Sequence, residues 1–251
     1  MICFDPVDRA RQIEGMVSEG LKRKYYRVSR PGRWYGGIAS ADCCGCNLKC
    51  IFCWSDKPRE NPDKYGKFCT PEQVSERIIQ CAREHNYHLV RVSGNEPTIA
   101  KGHLLKVISL INRTKLLFIL ETNGTLLDEA FVQELVKFRN LHVRVSLKGT
   151  NPEEFSMLSG ATPETFDRIM DNVGLLIEYQ VDFNLAAMLS FSPEENIELL
   201  KQRIQDIAPE IMHNFEEEYV ILYPHVARKI KAAGIEPLIA YTPGGVPKKL
   251  I

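Results

Sequence analysis

The sequence lacks an excess of charge of either sign: 32 Lys and Arg balance 32 Asp and Glu, for a formal net charge of zero. That excludes a chain-wide electrostatic footprint for nucleic acid or an anionic membrane, while leaving room for a local basic patch. It also lacks any apolar run approaching the roughly 20 residues of a membrane span. The opening, Met1-Ile2-Cys3-Phe4-Asp5, has no basic segment leading into an apolar one, so no secretory signal is read and a cytoplasmic location is expected. No break in composition argues for two bodies within 251 residues. The 44% hydrophobic content is enough for a sizeable core.

What the sequence does have is cysteine, eight in all, five of them between positions 43 and 53. Such crowding suits a metal site better than a set of long-range disulfides. Cys3 and Cys81 are expected to be buried small hydrophobes, since free cysteine is among the most buried residue types, and Cys69 has no assigned role. The central stretch is Cys46-Asn47-Leu48-Lys49-Cys50-Ile51-Phe52-Cys53. Three thiolates can hold three irons of a [4Fe–4S] cube and leave the fourth iron open, whereas an electron-carrying cluster is normally closed by four cysteines. Cys43-Cys44-Gly45-Cys46 leaves a second arrangement open, a closed four-cysteine cluster or a zinc ribbon.

Along the chain, apolar residues at Val7, Ala10, Ile13, Met16, Val17 and Leu21 predict a helix from about Pro6 to Arg23, and Lys22 to Arg33 reads as a basic connector. A first strand, Trp34 to Ala41, delivers the cysteine loop, which runs without secondary structure to about Phe68. Thr70-Pro71-Glu72-Gln73 is a capping box opening a helix to about His85. Strands then alternate with helices: strands over Leu89–Ser93, Lys115–Glu121, Leu141–Leu147, Phe183–Leu189 and Tyr219–Tyr223, and helices over Leu104–Asn112, Asp128–Phe138, Pro152–Leu158, Pro163–Tyr179, a second capping box at Ser192 leading to about Ile207, and Pro224–Ala233. Continuous apolar strands separated by helices imply a parallel sheet. Six βα units cannot close an eight-stranded barrel, so the expected fold is α/β, a partial (β/α)6 barrel with an open parallel sheet and an N-terminal helical extension. The corresponding divisions are 1–33 for the helix and connector, 34–234 for the core, and 235–251 for a tail packed on it.

Polar motifs fall at the strand ends: Ser93-Gly94-Asn95-Glu96-Pro97 after the second, Glu121-Thr122-Asn123-Gly124 after the third, and Leu147-Lys148 after the fourth. With Cys-x-x-x-Cys-x-aromatic-Cys, whose aromatic is Phe52, this set resembles the radical S-adenosylmethionine (SAM) superfamily. The resemblance covers about Trp34 to Gly149 well and the last hundred residues only in general pattern. It implies a [4Fe–4S] cluster on Cys46, Cys50 and Cys53, with SAM on the open iron and its ammonium held by the Gly94-Asn95-Glu96 segment. The third and fourth motifs are most similar to the glycyl-radical activating enzymes, which implies SAM-binding roles for Glu121, Thr122 and Lys148, the lysine pairing with the SAM carboxylate. Glu121 stands where that group has Asp, which puts a monovalent cation there in question.

The implied activity is reductive cleavage of SAM to a 5′-deoxyadenosyl radical, with flavodoxin or ferredoxin as electron donor and a glycyl-radical enzyme as first-choice substrate. A small molecule or nucleobase is the alternative, since Glu-Thr-Asn-Gly-Thr also resembles the 7-carboxy-7-deazaguanine synthases and Cys-Ile-Phe-Cys-Trp resembles the tRNA wyosine-forming enzymes. A closed iron–sulfur electron carrier is the non-enzymatic rival. Trp54, Asn184, Met188 and His225 are further candidates for contact with adenosine or substrate, and Phe191 and Tyr223 are read as core or rim.

Overall fold

The computed structural model describes residues 3–247; the end of the expected tail, 248–251, lies outside the described residues. Asp5 caps the first helix, α1 (Pro6–Val17), its Oδ1 accepting from the Val7 amide at 2.6 Å. The helix stops at Val17, short of the expected Arg23, because Gly20 takes a left-handed turn (φ 58°) that folds β1 (Ser18–Glu19) back on β2 (Lys22–Gly32). The stretch read as a basic connector is thus an eleven-residue strand. Its alternation is short and broken: Arg23 and Tyr25 are buried and Lys22 is exposed, but Arg27, in phase with Arg23, is exposed as well, because the pairing with β3 shifts register between Tyr25 and Arg27 and again before Arg30.

The elements that follow are β3 (Ile38–Cys43), α2 (Asp56–Glu60), β4 (Lys67–Cys69), α3 (Pro71–Glu84), β5 (Leu89–Ser93), α4 (Lys101–Ile111), β6 (Leu117–Thr122), α5 (Glu129–Leu135) and β7 (Leu141–Leu147). After them come α6 (Pro152–Ser159), α7 (Glu164–Glu178), β8 (Phe183–Met188), α8 (Glu194–Ile207), β9 (Glu216–Glu218), β10 (Val220–Ile221), α9 (Pro224–Ala232) and β11 (Ala240–Tyr241). One sheet has the order β1-β2-β3-β5-β6-β7-β8-β9, with β4 paired to β2. Its run from β3 to β9 is parallel, which makes the six parallel strands of the expected open, partial barrel. The β1–β2 hairpin and β4 extend it in antiparallel fashion.

The strands are not apolar on both faces, as the continuous-run reading had them. Val90, Val92, Phe118, Leu120, Val143, Val145, Leu147, Leu185 and Ala187 lie in the main core. The alternating residues meet on the other face: Arg91 donates to Ser40 Oγ, Ser93 to Glu121, Arg144 to Glu216 and Glu218, and Asn184 to Glu216. The barrel interior is therefore polar and ion-paired. Helices cover the apolar face with stripes at three- and four-residue spacing, such as Leu104, Val107, Ile108 and Ile111 of α4.

The capping box at Thr70 forms as expected, Thr70 Oγ1 accepting from the Gln73 amide and the Gln73 side chain from the Thr70 amide. The box expected at Ser192 does not: its hydroxyl donates instead to Glu154 at 2.6 Å, and α8 has no side-chain cap. The strand expected at Tyr219–Tyr223 is displaced: the last strand of the main sheet is β9, just before it at Glu216–Glu218, and within the expected range only β10 (Val220–Ile221) forms, which leaves that sheet to pair with β11. Trp34–Gly36, expected to open the first strand, forms a 3-10 turn before β3. No helix among the described residues is long and apolar enough to cross a membrane.

His103 of α4 pins the hairpin to the core. Its Nδ1 donates to the Leu21 carbonyl at 2.7 Å, which leaves Nε2 to accept from the Tyr25 hydroxyl at 2.9 Å, so the ring is held neutral. Burial pushes its pKa down to about 4 from the usual value near 6.5. The folded chain thus binds fewer protons than the unfolded chain below the unfolded pKa, and stability present above about pH 6.5 is lost as pH falls through about 4. Urea titrations are expected to show wild-type stability falling by up to roughly 3 kcal/mol over that interval. The His103→Gln variant should fall less over the same range; parallel declines would assign the loss to other groups.

Candidate active site

The cysteine loop leaves β3 through Gly45, whose φ of 82° and closeness to α1 exclude a side chain: a Cβ would stand 2.6 Å from Ile13. Cys43 and Cys44 face apolar surroundings there, Cys43 in the main core and Cys44 with Ala10, Ile13, Val17 and Ile99 under α1. Neither lines the cavity described below. The loop is fastened at several points. Asn47 donates to Thr125 Oγ1 (2.7 Å) and the Pro6 carbonyl (3.1 Å) and accepts from Asn123, while the Lys49 and Ile51 amides donate to Ser159 and Leu158 at the end of α6. Contrary to expectation, the loop is interrupted by α2 and β4 before Phe68 is passed.

Cys46, Cys50 and Cys53 line one cavity of about 1040 Å³ at the carboxyl ends of the parallel strands. Phe52, Gly94, Asn95, Glu96, Glu121, Thr122 and Lys148 line it too, so every residue singled out for cofactor binding is brought to the same place. Burial pushes the thiols up, Cys50 to about 11, with Lys148 and Arg59 pulling back against it. Buried thiols of this kind become thiolates when a metal supplies the charge. Among the described residues no three His, Cys, Asp or Glu side chains form a group that could hold a single metal ion. The fit to a polynuclear group rests on the three-thiol donor set, together with two buried polar atoms without a partner on residues that line the same cavity, Arg59 Nε and Asn95 Oδ1.

The geometry redistributes the roles within the second strand-end motif. Gly94 has a φ of 95°, and a Cβ there would come within 2.9–3.1 Å of Asp42, so only glycine lets β5 end against β3. The Glu96 carboxylate is saturated: Oε1 accepts from the Thr98 amide (3.1 Å), Thr98 Oγ1 (2.5 Å) and Thr122 Oγ1 (2.8 Å), and Oε2 from the Asn123 amide (2.8 Å). Glu96 therefore braces the ends of β5 and β6. The open acceptor is its neighbour, Asn95 Oδ1, held in place by an Nδ2 bond to the Ser55 carbonyl at 3.0 Å.

Glu121 pairs with Arg91 and accepts from Ser93 at 2.8 Å. Burial opposes its ionisation, but Arg91 and Arg144 outweigh that and hold its pKa below the usual range. Lys148 donates to Ser146 and stands 3.8 Å from Glu218. Arg144 bridges Glu216 (2.7 Å) and Glu218 (2.9 Å). Burial also acts against the charge on Glu218, yet Arg144 and Lys148 bring its pKa down to about 2. The far wall is thus a fixed array of ions rather than an apolar slot.

Of the looser candidates, Met188 lines the cavity, and Trp54, 42% exposed, stands at its mouth with its carbonyl accepting from His225 at 3.0 Å. Asn184 is taken up inside the barrel by His142 and Glu216 and does not line the cavity. Phe191 packs against Phe52, ring centroids 5.8 Å apart. Cys81 is buried as expected, whereas Cys3 is exposed, its thiol 3.3 Å from Ser156 Oγ. Sequence reading missed Arg59, Arg91, Arg144, Glu216 and Glu218. The alternation Arg91/Ser93 and His142/Arg144/Ser146/Lys148 would have signalled an inward polar face; Arg59 lies in a loop-borne helix where no periodicity marks it.

A family model described as the Radical SAM superfamily matches residues 42–207. A probable GTP 3′,8-cyclase of Methanococcus vannielii is 30% identical over 145 residues, covering 57% of this chain and 46% of that protein. A cysteine-type anaerobic sulfatase-maturating enzyme of Clostridium perfringens is 27% identical over 165 residues, covering 61% of this chain and 44% of that protein. The chain spans about half the length of these curated relatives. In fold it is similar to the crystal structure of Streptococcus suis SuiB bound to precursor peptide SuiA, with a TM-score of 0.59 at 17% identity over 81% of this chain and 48% of that one.

The brace at Glu96 has a measurable consequence. Glu96→Gln turns one acceptor oxygen into a donor facing donors, and is expected to cost roughly 2–3 kcal/mol in denaturant unfolding. A change below about 0.5 kcal/mol, the scale of an ordinary surface substitution, would mean that the four bonds do not hold the strand ends.

Proposed function

Because the chain belongs to the radical SAM superfamily, we propose that it cleaves SAM reductively and uses the 5′-deoxyadenosyl radical to take a hydrogen atom from a polar small-molecule substrate. The observation that carries this reading is one cavity lined both by the three thiols and by the ion-paired Arg144, Lys148 and Glu218. A [4Fe–4S] cluster on Cys46, Cys50 and Cys53 would supply the electron for the cleavage, received in turn from a flavodoxin or ferredoxin.

The chain's own residues supply orientation. Asn95 Oδ1, a buried acceptor without a donor, suits the methionine ammonium of SAM. Lys148, which lines the same cavity as the three thiols, suits its carboxylate. Phe52 and Met188 make the adjoining wall apolar and keep water from the reacting centre. Glu121 and Thr122 act one step back: Glu121 holds Arg91, and Thr122 holds Glu96.

The finer expectation of a glycyl-radical partner rests on the motifs at Glu121 and Lys148 and on the lateral opening of a six-stranded sheet, and neither relative named above is of that group. A cavity of about 1040 Å³ leaves room beside SAM for a compact substrate, and its charged wall favours a polar one. That favours the small-molecule reading over the protein one.

Anaerobically reconstituted protein given dithionite and SAM is expected to release 5′-deoxyadenosine. Cys50→Ala should lose the cluster signal and the product together. Lys148→Met should weaken SAM binding by about tenfold or more, the scale of one charge-assisted hydrogen bond. Absence of 5′-deoxyadenosine from protein carrying a full cluster would sink the reading, and deuterium transfer from labelled candidates into that product identifies the substrate.

A further inference from the structure

Arg59 sits on a helix of five residues that begins three residues after Cys53, yet it is only 4% exposed. Its Nη1 donates to the Cys50 carbonyl and its Nη2 to Glu60 Oε1 at 2.7 Å, while Nε is buried without an acceptor. Arg59 is among the residues lining the cavity, as are Cys50 and Cys53. An unpaired buried N–H costs about 1–3 kcal/mol, and one belonging to a cation costs more, so this side chain is held where it is against a penalty.

The surroundings prevent its escape. Glu60 is shared with Lys229 of α9 at 2.6 Å, and Lys229 also reaches Asp56 at 2.7 Å. His225 of α9 donates to the Trp54 carbonyl. The C-terminal helix thus clamps α2 from outside and keeps Arg59 turned inward.

Resting on the cluster assignment made above, we propose that Arg59 is a positioning residue that places a fixed positive charge and an N–H donor on the iron–sulfur group held by Cys46, Cys50 and Cys53, and so raises its reduction potential. Cluster potentials respond to net charge, to hydrogen bonds on the sulfurs and to solvent exposure, and Arg59 acts on the first two. A group bound by three thiolates becomes more negative when it accepts an electron, so a cation that cannot move away stabilises the reduced state over the oxidised one. The one N–H of the orphaned Nε is thereby given a partner, since a cluster sulfide is an acceptor.

The test is an EPR-monitored redox titration of the reconstituted protein without SAM, with iron and sulfide counted in every sample. Arg59→Gln is expected to make reduction at least tenfold less favourable, a midpoint lower by about 59 mV for a one-electron couple. Arg59→Lys, which keeps the charge, should recover at least half of that shift, a rescue that a purely structural tie between α2 and the loop would not produce. Independently of any variant, the reduced wild-type protein grown with guanidino-15N arginine should show a 15N coupling to the cluster in pulsed EPR. An unchanged midpoint in Arg59→Gln at full cluster content, or no 15N coupling in the wild type, overturns the inference. Failure of the underlying assignment is distinguishable, because the wild type would then give no [4Fe–4S] signal to titrate.

Discussion

Charge on the inner face of a parallel sheet is tolerated only in pairs, because each unpaired ion would forfeit several kcal/mol of hydration. Here that condition organises the barrel. Arg91 with Glu121, and Arg144 with Glu216 and Glu218, tie neighbouring and next-neighbouring strands across the interior. Each pair fixes the register of the strands it joins, since a slip of one residue would turn a charge into the apolar face. The result is a rigid polar floor on which the cavity stands.

The same logic continues at the strand ends, where backbone groups lose their ladder partners. Glu96 gathers four donors from two different segments and so replaces the missing ladder bonds with charge-assisted ones. Gly94 permits this because no side chain fits between the ends of β5 and β3. Among the described residues that line the cavity, two buried side-chain nitrogen or oxygen atoms are left without a partner, Asn95 Oδ1 and Arg59 Nε, beside the three thiols. A binding site made of the groups a fold cannot satisfy by itself is preorganised, because ligand atoms complete bonds that nothing else competes for.

The last third of the chain contributes in a different way. β9 supplies counter-charges to Arg144, and α9 steadies α2 through Lys229. Neither adds a ligand to the cysteine centre. They decide instead where its neighbouring charges sit, which links the C-terminal elements to the chemistry of a loop more than a hundred residues away.

Local patterns in the sequence were enough to place most elements and to name the centre. The capping box at Thr70, the strands at Leu89–Ser93 and Leu141–Leu147, and the three cysteines are each written in residues close together in the chain, where spacing alone carries the information. β2 was misread because its charged residues and two register shifts leave no unbroken alternation, and Ser192 because a distant acceptor, Glu154, competed for its hydroxyl. The roles of Glu96, Asn95 and Arg59 lay beyond sequence for a common reason: whether a polar atom is spent or free depends on partners brought near by folding. Spacing determined which residues gather at the centre; only the tertiary structure decided which of them still have a bond to give.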